Sequence, residues 1–207
     1  FKEMWTGTAN LITDGTIPYL DWDYENKVMT NAVCTAYTVV TPAMGTLQSG
    51  WYVVMGAVTN ATAGIMVSGN SHLILAECSE LYVTGTPYRA GIDVSANGSV
   101  TNSIAVYGQH LDATGRLTAF GGPVIDGNPG SCAIGSDYGP CGYVTINGGI
   151  VTATGTGSFA GIGNGTWTQG GGGVTINGGT VTANGGNSSS SGIGASTYSG
   201  NVRVTIN

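Results

Sequence analysis

Acid–base catalysis needs carboxylates near one another or near a base, and the 207-residue sequence offers few candidates. From residue 51 onward the charged side chains are Glu77, Glu80, Arg89, Asp93, Asp112, Arg116, Asp126, Asp137 and Arg203. None belongs to an adjacent Asp pair, a Gly-His-Gly run or an Arg-x-Lys run, so the clustered acids of polysaccharide lyases and glycoside hydrolases are not spelled out. Asp112 with Arg116, and Arg89 with Asp93, read as solvated ion pairs. In "YLDWDYE" the residues Asp21, Asp23 and Glu25 alternate with Trp22 and Tyr24. Three such carboxylates could face a calcium ion, but the glycine turn and remaining ligands of a calcium loop are missing, and a solvated strand is the simpler reading. His72 and His110 stand alone. No catalytic residue, metal or cofactor is expected.

Binding chemistry has better material. Trp167 in "GNGTWTQGGGG", Tyr138 in "GSDYGP" and Tyr198 in "ASTYSG" sit in glycine-rich and serine-rich loops, where aromatic rings can stack on sugars. Tyr82, Tyr88 and Tyr143 are further members of the aromatic set, whereas Trp51, Tyr52 and Tyr107 lie in strand-like runs and read as core. Cys132 and Cys141 flank the loop "GSCAIGSDYGPCG"; a local disulfide and two free, partly buried thiols are both open. Cys34 and Cys78 could form a second pair. Outward threonines at 145, 175 and 205, and at 152 and 182, resemble an ice-binding array, but threonine is favoured on any β surface and the rows break at Phe120 and Asn184.

Composition narrows the partners. Charged residues make up 8% of the chain, 37 residues are glycine, and five basic residues leave a net charge of -6. No basic stripe exists to neutralise phosphates, which excludes nucleic acid as a partner. No run approaches the roughly 20 apolar residues of a membrane span, so membrane insertion is not expected. An even cysteine count in a neutral, hydroxyl-rich chain fits an exported protein, secreted or at the cell surface. Residues 1–15 lack the apolar core of a signal peptide, and the sequence stops just after a repeat begins. We therefore expect a piece of a longer chain, with further domains.

The positioning elements come from that repeat. "VTINGGIVTATGTGSFAGIGNGTWTQGGGG" (144–173) is followed by "VTINGGTVTANGGNSSSSGIGASTYSGNVR" (174–203) and a third "VTIN". Each 30-residue unit carries three short β runs, with period-2 alternation placing Val144 and Ile146 inward and Thr145 outward. Three strands per repeat predict a β-solenoid coil. Looser copies run upstream through "SIAVYGQ", "RLTAFGG", "HLILAE", "ELYVTG" and "WYVVMG", giving five to six coils that lengthen from about 22 to about 40 residues before settling at 30, on an axis of about 25–30 Å. The strict register of Asn147, Asn177 and Asn207 predicts a hydrogen-bonded asparagine ladder. Residues 1–50 break the pattern and read as an N-terminal cap or lead-in ahead of a β-helix over 51–207.

"WYVVMGAVT", "HLILAE", "SIAVYGQ", "LTAFGG" and "VTINGGTVTA...GIG" together resemble the modular repeat region of large secreted or cell-surface proteins of anaerobic gut bacteria, adhesin-like and described as carbohydrate-binding. That resemblance implies an all-β, right-handed parallel β-helix and supplies no catalytic residue to carry over. The expected function is a non-catalytic module acting in adhesion or in binding glycans or host surface glycoproteins. A polysaccharide-acting enzyme and a purely structural spacer are the alternatives.

Overall fold

Short runs of alternating apolar and hydroxyl residues, broken by glycine, cannot bury both faces within one coil and must stack on neighbours. The computed structural model describes residues 11–12, 15–61, 63–96, 101–125, 127, 129–137, 139–165, 171–196 and 199–207, and every regular element among them is a strand. The lead-in holds β1 (Leu11–Ile12), the hairpin β2 (Ile17–Asp23) and β3 (Val28–Cys34), and β4 (Tyr37–Val39). Next come β5 (Thr46–Val54), β6 (Ala57–Asn60), β7 (Ile65–Leu75), β8 (Glu80–Thr84) and β9 (Ile92–Asp93). The longer coils hold β10 (Ser103–Gly108), β11 (Arg116–Phe120) and β12 (Ile134–Ser136). The 30-residue repeats hold β13 (Tyr143–Ile146), β14 (Ile150–Thr154) and β15 (Ile162–Asn164), then β16 (Gly173–Ile176), β17 (Thr180–Asn184) and β18 (Ile193–Ala195), and finally β19 (Arg203–Ile206).

These strands form a parallel β-helix with three faces. The first face stacks the downstream halves of β5 and β7 on β10, β13, β16 and β19. The second stacks β6, β8, β11, β14 and β17. The third stacks the upstream halves of β5 and β7 on β9, β12, β15 and β18. Both β5 and β7 bend across a corner, which merges the first and third faces into one ladder, and the register shifts between Gln48 and Gly50. Trp51, His72, Ala105, Thr145, Thr175 and Thr205 are partners in register, so the coil grows from 21 residues (51 to 72) to 40 (105 to 145) and settles at 30.

The core consists of columns. Ile65, Ile92, Ile134, Ile162 and Ile193 line up on the third face; Val58, Leu81, Leu117, Val151 and Val181 on the second; Ile104, Val144, Val174 and Val204 on the first. Most are fully buried, and each buried branched side chain contributes about 1.5–3 kcal/mol. At the corner after the first face, Asn177 Nδ2 donates to Asn147 Oδ1 at 2.7 Å and Asn207 Nδ2 donates to Asn177 Oδ1 at 2.6 Å. The 30-residue register is thus held by an asparagine ladder.

The lead-in serves two places. β4 extends the first face's ladder upstream by pairing parallel to β5, and β1 pairs antiparallel to β4. Hairpin β2–β3 instead folds along the outside of the first face. Tyr19 packs on Trp51 and Tyr107 at centroid distances of 4.8 and 5.0 Å, and Asn147 Nδ2 donates to Asp21 Oδ1 at 3.1 Å. Asp23 closes the hairpin turn by accepting from the backbone N–H groups of Glu25 and Asn26 and from Asn26 Nδ2.

Candidate functional site

Trp167, Tyr138 and Tyr198, the loop aromatics expected to meet a ligand, lie outside the described residues. Cys132 and Cys141 are free, fully buried thiols on either side of the third-face corner. The Cys132 N–H donates to Asp137 Oδ1 at 2.8 Å and the Cys141 N–H to Asn164 Oδ1 at 2.9 Å. Burial pushes both thiols up, Cys141 to about 12, with the Asp137 carboxylate adding to the rise at Cys132 and Asp93 to that at Cys141. Cys34 is buried in the hairpin's cluster and Cys78 is exposed; both are free.

The charged groups are dispersed. Glu80 and Arg116 face each other in register on the second face, Glu77 accepts from the Thr114 hydroxyl at 2.7 Å, and Asp93 accepts from the backbone N–H of Ser95 at 3.0 Å. Among the described residues no three His, Cys, Asp or Glu side chains are placed to hold a metal ion. His72 is stacked on Trp51 at 4.3 Å and bonded through Nδ1 to the Tyr107 hydroxyl at 2.9 Å, and burial lowers its pKa although Asp21 opposes the shift. Tyr52 and Tyr107 are buried and Trp51 is half-covered by the hairpin.

One acid escapes sequence reasoning. Asp137, in what reads as an ordinary polar loop, is 4% exposed, and its Oδ2 has no hydrogen-bond partner among the described residues. Desolvation pushes its pKa up to about 8, against the opposing pull of the Cys132 N–H and with help from the Asp93 charge. It is therefore a neutral carboxylic acid at pH 7. It lies outside two surface concavities, one on the second face and one around Asp93 and Ser95.

The larger concavity, about 500 Å³, lies on the second face. Its floor is Tyr82 on β8 and Phe120 on β11, diagonal neighbours because Tyr82 pairs with Thr118 and Phe120 with Thr84. Their rings sit 5.5 Å apart with planes tilted by 40°. Thr84, Thr86 and Thr156 add hydroxyls to the walls, and Pro87 and Pro123 add rigid apolar rims. The Thr156 hydroxyl is fixed by accepting from the Ser131 N–H at 2.9 Å. Such a trough has the size of a small-ligand site, with aromatic surface and a few convergent polar groups. Tyr82 belonged to the expected aromatic set; Phe120 showed in the sequence only as a bulky interruption of an outward threonine row. A second concavity of about 440 Å³ is lined by Met66, Val67, Ser68, Asp93, Ser95, Ala96 and Asn102.

Compared with known proteins, the chain matches the sequence model of the beta helix repeat family over residues 144–166 and 174–197, the coils β13–β15 and β16–β18. No curated protein and no solved structure matches it.

Proposed function

We propose that this chain is a non-catalytic β-helix module of an exported bacterial surface protein, and that it binds glycans in adhesion to host or neighbouring surfaces. β-Helix repeats occur in enzymes and non-enzymes alike, so the repeat alone does not decide the matter. What carries the reading is the trough on the second face: Tyr82 and Phe120 project side by side from adjacent strands of a rigid ladder, with three threonine hydroxyls around them. A sugar ring offers an apolar C–H face and a rim of hydroxyls, which matches aromatic surface edged by hydroxyls. Its described lining contains no carboxylate to act as acid or base, which weighs against hydrolysis or elimination at that place. Single contacts of this kind are weak, and repeated copies on a surface would compensate by multivalency.

The test is a glycan and mucin array probed with the protein, with a Tyr82→Ala/Phe120→Ala variant and with a Trp167→Ala/Tyr138→Ala/Tyr198→Ala variant, each checked for native circular dichroism. Binding lost by the first variant supports the trough. Binding lost only by the second moves the site to the coil loops. A wild-type protein that binds no glycan overturns the reading and leaves a structural spacer.

A further inference from the structure

The second face differs from its neighbours in what it presents. Hairpin β2–β3 covers the first face around Tyr107 and Asn147. On the third face the aligned positions Gly135, Gly163 and Gly194 carry no side chain. The second face, by contrast, shows two unbroken outward columns along the solenoid axis: Thr59, Tyr82, Thr118, Thr152 and Thr182, and beside it Thr84, Phe120, Thr154 and Asn184. Successive members are one strand spacing apart, about 4.8 Å. Neither column contains an ionised group. Glu80 and Arg116, opposite each other, stand in the outermost row.

We propose that the Tyr82–Phe120 trough is the anchoring end of a longer site that takes an uncharged, extended glycan chain laid along the solenoid axis over Thr118, Thr152 and Thr182, with Thr154 and Asn184 alongside. This rests on the glycan-binding reading above. The columns supply hydroxyl and amide partners at a repeat close to the width of one sugar ring, so each added sugar meets the same chemistry one coil further on. Asn184 Nδ2 and Thr154 Oγ1 are 3.4 Å apart and already oriented towards each other on that surface. A uronate or sulfate group placed there would lose its hydration against threonine methyls and Phe120, on a protein of net charge -6 and on a face whose cation Arg116 stands in the edge row opposite Glu80.

The experiment is titration calorimetry with linear neutral oligosaccharides (β-linked glucose, mannose and xylose series, from dimers to about octamers) and with uronic-acid oligosaccharides of the same lengths. It uses the wild-type protein, Tyr82→Ala, and a Thr152→Asp/Thr182→Asp variant, both of whose substitutions point outward. Expected is binding of a neutral series with affinity rising about tenfold or more with chain length, a rise the Asp variant loses while keeping its affinity for the shortest ligand that binds. Affinity that is flat with length, equal affinity for uronate chains, or an Asp variant identical to wild type overturns the axial site while leaving the trough intact. Absence of binding to every sugar overturns the glycan reading itself, and this inference with it.

Discussion

The side-chain amide of Asn147 donates to the carboxylate of Asp21 at 3.1 Å, joining residues 126 positions apart. The bond attaches the N-terminal hairpin to the asparagine ladder, so that Asp21, Asn147, Asn177 and Asn207 form one chain of hydrogen bonds along the solenoid. Asn177→Ala leaves Asn147 Oδ1 without its donor and Asn207 Nδ2 without its acceptor, at a cost of about 1–3 kcal/mol, or several degrees of melting temperature. Asp21→Ala removes the partly exposed bonds that Asp21 Oδ1 accepts from Asn147 Nδ2 and from the Trp22 N–H, costs about 1 kcal/mol, and loosens the hairpin over Trp51. Thermal melts should rank Asn177→Ala below Asp21→Ala, and tryptophan emission should shift to the red in the Asp21 variant alone. An unshifted spectrum would mean that the Tyr19 contacts hold the hairpin unaided.

Glycine is required where the third face turns. Gly135 and Gly163 have φ of 142° and 135°, a region unfavourable to side chains, and a Cβ on either would collide with the backbone carbonyl of the next coil, Gly163 or Gly194. Gly163→Ala therefore combines strain with a backbone clash and should cost about 2–4 kcal/mol. Gly139→Ala, whose added Cβ would meet nothing nearer than 3.6 Å, should stay within about 0.5 kcal/mol of wild type. Denaturant midpoints of the two variants decide this; equal midpoints would show that the coils can shift apart to admit a methyl group.

How much of this was legible in the sequence follows from what makes each feature periodic. The coil is readable at Val144, Val174 and Val204 because in-register parallel stacking places identical residues on one another, and at Asn147, Asn177 and Asn207 because a ladder needs the same side chain at each rung. Upstream, the same alternation survives with loops of unequal length, so "HLILAE" and "SIAVYGQ" are still recognisable as partners. That β7 runs on through the corner to serve two faces is not readable, since Ser68, Gly69, Asn70 and Ser71 break its sequence into two runs while the strand continues from Ile65 to Leu75. Nor is the position of the hairpin, which depends on Asp21 and Tyr19 meeting residues far along the chain. Phe120 could be seen only as a broken threonine row, because its pairing with Tyr82 is diagonal across two coils separated by 38 positions of sequence. Asp137 was hidden by its loop, whose polar composition signals exposure while the fold tucks it beneath the corner.

The thiols should divide sharply in reactivity. Alkylation needs the thiolate and an approach path, and Cys132 and Cys141 have neither: both are fully buried, with pKa values raised by desolvation. Cys34 is buried too, and its thiol is likewise pushed up. Iodoacetamide at pH 8 should label Cys78 within minutes and the other three only after unfolding, as followed by peptide mass spectrometry. Rapid labelling of Cys141 in the folded protein would mean that the third-face corner opens readily.

Asp137 should impose an unusual slope on stability. Its carboxyl keeps a proton in the folded protein up to about pH 8, whereas the unfolded chain releases it near the ordinary value of 3.8. Between those limits the native state holds more protons than the unfolded state, so raising the pH favours unfolding, by up to about 1.4 kcal/mol per unit from this one group. The contribution is fully present below about pH 4, declines through neutrality and is spent above about pH 8. Asp137→Asn keeps the shape, preserves an oxygen to accept from the Cys132 N–H and cannot ionise. The variant should therefore lose the decline: near wild-type stability at pH 4–5, and higher stability than wild type at pH 8. Denaturant titrations at pH 5, 6.5 and 8 give both slopes. Parallel curves for the two proteins would show that Asp137 ionises like a solvated carboxylate and that its corner is open to water.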